Sequence, residues 1–172
     1  YSALACIAIQ SNQNDQHGGQ SICDFDYGLA LGVKKTYRRL YKKHLAEALE
    51  LLTEIENPRE TSEIIVGRVE GETGKVAELV MNTTFVSAVH AELSELGLEE
   101  KSAEKVLHYA ETAAKRDTDR ATFQAMEALI HNLNTMHSRA GAQTPFSSIN
   151  YGMDTSAEGR MVIKNILLAT EA

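Results

Sequence analysis

The sequence has few of the features that assign a function directly. Its two cysteines, Cys6 and Cys23, stand in no metal-ligand spacing and form no disulfide framework. That usage fits a reducing compartment, and the expected location is cytoplasmic. No apolar run reaches the length of a bilayer span, and no secretory leader pattern opens the chain. There is no P-loop, no GxGxxG and no HExxH. Positive charge is also in short supply. A net charge of −7 and a pI near 5.4 argue against a general nucleic-acid binder. An acidic chain can still hold a nucleotide through a local basic patch.

What remains is ordinary globular composition: 172 residues, 43% hydrophobic and 24% charged, enough for one domain with a core. The chain opens on YSALACIAIQ, already in helical rhythm and without an initiator Met. It closes on the apolar MVIKNILLATEA with no stop signal. Both ends are expected to continue in a longer enzyme; the plainer reading is a mature protein with frayed termini.

Hydrophobic spacing predicts mostly helix. Residues 2–16 form a first helix, which His17–Gly19 stops. QSICDFD then alternates weakly and reads as a short strand over about 20–25. Leu29, Val33, Tyr37, Leu40, Tyr41, Leu45, Leu49 and Leu52 recur at threes and fours, giving a long helix over 29–56 that Asn57-Pro58 ends. Three glycines among charges mark 59–74 as a loop with room for a brief strand at EIIVGRV. Helical spacing returns over 75–96, capped by Gly97. Ser102 and Thr118 are expected N-caps of helices over 103–115 and 119–137. The buried face of the latter carries Phe123, Met126, Ile130, Leu133 and His137. Residues 143–150 read as a second strand. A last helix follows, with Thr155 or Ser156 as N-cap and Glu158 placed against the helix dipole.

The two ends therefore share a plan of helix, glycine turn, Gln, short strand and helix. Two such strands joined by helical crossovers are expected to pair in parallel. The fold class is α/β, mostly helical. The expected organisation is a single unit over 1–172: helix and first strand (1–31), helical crossover (32–117), then helix, second strand and helix (118–172).

Several residues invite a chemical reading. Gly18-Gly19 and Gly141 terminate helices more naturally than they cradle phosphate. His131 and His137 do not share a helix face and read as structural, whereas His17 at a glycine turn is equally suited to face a site. Cys23 is followed by Asp24 and Asp26, acidic neighbours that disfavour a thiolate, and both cysteines read as non-catalytic. The run KKTYRRLYKKH, residues 34–44, places Lys35, Arg38, Arg39 and Lys42 near one helix face. It either holds a triphosphate or is a solvated face. Tyr37 and Tyr41 pack a base or the core. Neither face of 143–150 is cleanly apolar, which suits a strand with one side in a core and the other lining a polar cavity, or an edge strand facing water.

MEALIHNLNTMHSRAGAQTPFSSINYGMDTSAEGRMVIKNILLATEA, over about 120–172, resembles the class III anaerobic ribonucleoside-triphosphate reductases. AIQSNQNDQHGGQSICDFDYGLA, over about 3–31, resembles an earlier segment of the same family, with QNDQHGGQ its most specific part. Residues 32–117 are placed by position between the two.

The resemblance implies a glycyl-radical enzyme built on a ten-stranded α/β barrel, with this chain a fragment of its catalytic barrel domain. A radical passes from a C-terminal glycine to a barrel cysteine, whose thiyl abstracts the ribose 3′-hydrogen. Water then leaves C2′, a reductant (formate or a small redox protein) supplies the two electrons, and the deoxynucleotide forms. The radical glycine, the thiyl cysteine and the zinc-binding cysteines are expected outside residues 1–172, so no catalytic residue and no metal ligand is expected here. Candidates for lining the substrate cavity are His17, Gln20, Gln143, Ser147, Ser148 and Asn150. Candidates for effector phosphates are Lys35, Arg38 and Arg39, on helices the resemblance sets near a dimer interface.

The resemblance further implies a radical installed by an S-adenosylmethionine/iron–sulfur activase, allosteric ATP and dNTP, and zinc in the full-length enzyme. The implied partners are ribonucleoside triphosphates, dNTP effectors, the activase and a second copy in a homodimer, with no membrane and no direct nucleic-acid contact. The contrasting reading is a helical interaction module that carries this segment and does no chemistry.

Overall fold

A computed structural model of the chain describes residues 1–15, 18–135 and 146–171. In chain order the elements are α1 (Ser2–Asp15), β1 (Gln20–Ile22), α2 (Phe25–Leu52), α3 (Pro58–Thr73), α4 (Thr83–Glu95), α5 (Glu100–Thr135), β2 (Ser147–Ile149) and α6 (Ala157–Glu171). They divide into two compact units, Tyr1–Val33 with Asp119–Ala172, and Lys34–Thr118.

The Lys34–Thr118 unit is helical. Tyr37, Tyr41, Leu45 and Leu49 of α2, Ile65, Val66 and Val69 of α3, Phe85, Val89 and Leu93 of α4, and Ala103, Val106 and Ala110 of α5 are all buried. Their spacing of three and four puts one apolar stripe on each helix. The tyrosines belong to this core rather than to a base-binding face. Tyr37 and Tyr41 have ring centroids 6.3 Å apart, and Tyr41 meets Phe85 edge-on at 5.8 Å.

Three expectations fail within this unit. Residues 59–74 are helix, not a loop or strand. Pro58 occupies the first turn, where its missing N–H costs nothing. Gly67 and Gly71 lie on the exposed face, while Gly74, at φ 63°, closes the helix. Helix over 75–96 begins only at Thr83, because Asn82 takes the N-cap position and accepts the Thr84 N–H at 2.9 Å. Ala77 and Leu79 are buried from the non-helical approach to that cap. The ending is as expected: at Gly97, φ 86°, the Gly97 N–H donates to Ser94 and the Leu98 N–H to Leu93, a Schellman closure. The long helix expected over 29–56 runs instead from Phe25 to Leu52, so Pro58 opens the next helix rather than closing this one.

The fourth correction concerns α5. The two helices expected over 103–115 and 119–137 are one continuous helix, and Thr118, expected as an N-cap, is a fully buried mid-helix residue. A threonine without a following turn residue does not break a helix whose apolar spacing continues through it.

The other unit, residues 1–33 and 119–171, holds the sheet. β1 and β2 pair in parallel, as the shared plan of the two chain ends predicts, with Gln20 opposite Ser147, Ser21 opposite Ser148 and Ile22 opposite Ile149. β1 is shorter than expected, because Phe25 already starts α2 and is buried. Between them Asp24 turns the chain at φ 52°. Cys6 and Ile9 of α1, Leu29 and Val33 of α2, Met126 and Leu129 of α5, and Val162 and Ile166 of α6 form this unit's apolar interior. Ser156 is the N-cap of α6, its hydroxyl accepting the Gly159 N–H at 3.1 Å.

Candidate functional site

The strand pair presents its polar residues on two faces, not one. Gln20 and Ser147 are register partners, half-buried on the same side as Ile22 and Ile149. Ser148 sits opposite Ser21 on the exposed side, and Asn150 is exposed just past the strand. The substrate-cavity set is therefore split: Gln20 and Ser147 together on one face, Ser148 on the other, and Asn150 past the strand end. His17 and Gln143, along with Gly141 and His137, lie outside the described residues.

Past Ile149 the backbone is held closely. The Asn150 N–H donates to Ile22 at 2.9 Å and the Asn150 carbonyl accepts from Phe25 at 3.0 Å. Asp26, in the first turn of α2, is fully buried, and its Oδ2 accepts the N–H groups of Gly152 at 2.9 Å and Asp154 at 2.8 Å. Burial disfavours the charge on Asp26. The backbone N–H groups of Asp154 and Gly152, together with those of Tyr27 and Asp26 itself, outweigh it and hold the carboxyl below the usual carboxylate range. Its Oδ1 is buried with no hydrogen-bond partner among the described residues. The loop continues into α6 through Asp154, whose Oδ1 accepts the Ser156 N–H at 2.8 Å. Sequence reading missed Asp26 because an acidic residue at the start of a helix looks like a dipole partner, and nothing local marks it as buried.

The basic run divides as well. Arg38 is committed to Glu70 of α3: its Nε donates to Oε1 at 2.6 Å and its Nη2 to Oε2, a paired arrangement that raises the guanidinium pKa. Lys42 approaches the same carboxylate at 3.7 Å. Lys35 is exposed on α2. Arg39 instead lines a cavity of about 740 Å³ between α2 and α3, with Lys42, Lys43 and Arg59 as further cations and Glu47, Glu50 and Glu63 as carboxylates. Arg59 was invisible to sequence reading because 59–74 looked like a loop.

His44 was also missed. It is buried, with Nδ1 2.6 Å from Glu47 Oε2 and Nε2 2.9 Å from Asp117 Oδ2. Arg116 Nε donates to the other oxygen of Asp117 at 2.9 Å. The only local signal is Glu47 one helical turn after His44. Arg116 and His44 hold Asp117 below the usual carboxylate range, and His44 and Lys43 do the same for Glu47 against its burial.

Cys6 is buried and its thiol pKa is pushed up by burial, against a hydrogen bond with Asn132. Cys23 is exposed at the end of β1. His131 is exposed on α5. Among the described residues no group of three or more His, Cys, Asp or Glu is arranged to hold a metal ion, and no helix is long and apolar enough to cross a membrane.

Comparison with known proteins agrees with the resemblance read from the sequence. The sequence model of the family described as anaerobic ribonucleoside-triphosphate reductase matches residues 1–172. A curated relative, the anaerobic ribonucleoside-triphosphate reductase of Salmonella typhimurium (strain LT2), is 36% identical over 58 residues. Those residues are 34% of this chain and 8% of the relative, so the match spans a small part of that protein's length.

Proposed function

This chain belongs to the anaerobic ribonucleoside-triphosphate reductase family, and we propose that it works as part of an enzyme converting ribonucleoside triphosphates to 2′-deoxyribonucleoside triphosphates by glycyl and thiyl radical chemistry. The single observation that carries this reading is the family match over the whole chain. The parallel β1–β2 pair supports the finer part, in which the strands are neighbouring staves of an α/β barrel and the helices between them form the crossover. Gln20 and Ser147, adjacent on one face, line the nucleotide cavity, and Asn150 lines its rim. Neither Cys6 nor Cys23 is assigned to the radical chain. Zinc, which the resemblance implies for the intact enzyme, finds no ligand set among the described residues.

Effector phosphates, on this reading, enter the groove between α2 and α3. Arg39, Lys43 and Arg59 present charge there, and Lys35 lies on the same helix. Arg38 does not line the groove, and its Nε–Nη2 edge is taken by Glu70. The implied partners are the activase, which installs the radical, and a second copy of the chain, with dNTPs as effectors.

The test uses the intact reductase that carries this segment. Gln20→Ala and Ser147→Ala should each raise KM for ribonucleoside triphosphates by about three- to tenfold, the loss of one hydrogen bond to a ligand. Unchanged KM and kcat in both variants would remove the cavity assignment. Arg39→Ala should weaken dNTP binding with little change in turnover measured without effector, whereas unchanged dNTP affinity would leave the basic run as a solvated face.

A further inference from the structure

The loop that follows β2 is fixed in an unusual way. Asn150, Tyr151, Gly152 and Met153 are all exposed, so side-chain packing does little to hold them. Gly152 adds a backbone at φ 109° that few residues adopt. Such a loop is ordinarily mobile. Here both ends are tied instead. Asn150 is bonded through its N–H to Ile22 and through its carbonyl to Phe25. Gly152 and Asp154 donate to Asp26.

The tie is a fully buried carboxylate on a different element, distant in sequence. Burying an ionised side chain is unfavourable unless its oxygens are satisfied, and Oδ1 has no partner among the described residues. An arrangement serving packing alone is met more cheaply by an apolar residue or a neutral amide. The loop also lies at the carboxyl ends of two parallel strands, the edge at which α/β folds place their ligands.

We propose that Asp26 is a positioning residue, which fixes the loop 150–154 so that Asn150 and the adjacent Tyr151 are presented at the mouth of the nucleotide cavity. This rests on the assignment of Asn150 to that cavity. Asp26 itself, being buried, does not touch substrate. Its carboxylate sets the backbone on which the contacting side chains stand. Tyr151, 44% exposed on that backbone, offers an aromatic ring beside the Asn150 amide.

Two substitutions separate positioning from general stability. In Asp26→Asn the amide oxygen replaces Oδ2 and still accepts both N–H groups. In Asp26→Ala it cannot. Hydrogen exchange on the chain should therefore show the Gly152 and Asp154 amides faster by about tenfold or more in Asp26→Ala, and largely restored in Asp26→Asn. Exchange elsewhere in the same unit, in α6 for example, should change far less.

In the intact reductase, Asp26→Ala should raise KM for the ribonucleoside triphosphate more than it lowers kcat, with Asp26→Asn between it and wild type. Asn165→Ala is the control: Asn165 is buried in the same unit and donates to Asp119 and Met161, but touches no loop amide. It should lower stability and leave KM unchanged.

Exchange that rises uniformly through the unit in Asp26→Ala would overturn the proposal in favour of a merely structural carboxylate. So would an unchanged KM in Asp26→Ala beside a raised KM in Asn150→Ala. If Asn150→Ala also leaves KM unchanged while loop exchange responds as expected, the cavity assignment is what has failed, and the functional role of Asp26 fails with it.

Discussion

At the scale of single residues, the molecule carries polar groups whose partners decide their energetic sign. Tyr37 and Tyr41 are both 0% exposed, and neither hydroxyl has a hydrogen-bond partner among the described residues. Burial pushes both phenol pKa values up, further strengthened by the Glu111 charge. A buried hydroxyl with no partner is a cost, while the ring around it is a large gain. Tyr41→Phe should therefore leave stability unchanged or raise it by up to about 1 kcal/mol. Tyr41→Ala should cost about 3–5 kcal/mol, through lost burial and the cavity left behind. Denaturant midpoints of the two variants make the comparison. A clear loss in Tyr41→Phe would mean the hydroxyl is satisfied after all.

The His44 cluster makes a second residue-scale prediction, with a sign fixed by its carboxylates. Asp117 and Glu47 have folded-state pKa values below their ordinary ones. A depressed carboxylate contributes stability that is present above its unfolded pKa and lost as pH falls through the folded one. Stability should thus decline on acidification, starting near the ordinary carboxylate range of about 4 and continuing below it. His44→Gln removes the group that both carboxylates share, so it should flatten the acid limb as well as lower the plateau. Urea unfolding at a series of acidic pH values measures this, and an acid limb as steep in His44→Gln as in wild type would show that the depression comes from Arg116 and Lys43 instead.

At the scale of elements, α3 is where reading by composition and the energetics of folding part company. Three glycines and many charges suggested a loop. Yet Ser62, Ile65, Val66 and Val69 form a buried stripe, and that stripe decides the conformation. Gly67 and Gly71 are exposed, and a Cβ at either would meet nothing within 4 Å. Each should then accept alanine with a gain of about 0.5–1 kcal/mol, because glycine in a helix interior loses more backbone entropy. Gly74 should behave in the opposite way, since φ 63° strains any side chain. Thermal midpoints of Gly67→Ala, Gly71→Ala and Gly74→Ala should rise, rise and fall. If the first two fall, α3 is not the helix described here.

The same element explains how much could be read in advance. Helices with long apolar stripes, such as α2 and α6, and the parallel pairing of the two strands were legible from spacing and from the repeated plan of the chain ends. Boundaries were not, because Asn82 and Thr118 carry similar cap propensity. Only tertiary burial makes one an N-cap and the other a mid-helix core residue. Among candidate site residues, Gln20 and Ser147 were legible as polar groups on strands. Asp26, His44 and Arg59 were not, since each owes its role to a partner far away in sequence or to a helix that composition concealed.

At the scale of the whole molecule, the question is what this chain does when nothing else is present. β1 and β2 bond only each other among the described residues, so each leaves an unpaired outer edge. Large apolar side chains also stand in solvent: Leu4 and Ile7 on α1, Tyr27 and Leu31 on α2, Leu167 and Leu168 on α6. Radical reduction of a ribose needs a thiol presented to the 3′-hydrogen inside a site that keeps water away from the radical. Cys6, at 3% exposure, is shut away in the apolar interior of its unit. Cys23 has the opposite fault: it is exposed, just past the end of β1. The purified chain, supplied with activase, reductant, ribonucleoside triphosphate and effector dNTP under anaerobic conditions, is therefore expected to form no deoxynucleotide. Cys23→Ser should likewise leave the activity of an intact reductase within about twofold, the range of surface substitutions, and Cys6→Ser should lower stability rather than kcat, because it buries a hydroxyl. Product from the chain alone, abolished by either substitution, would make one of these thiols catalytic and overturn the assignment of this segment to wall and crossover.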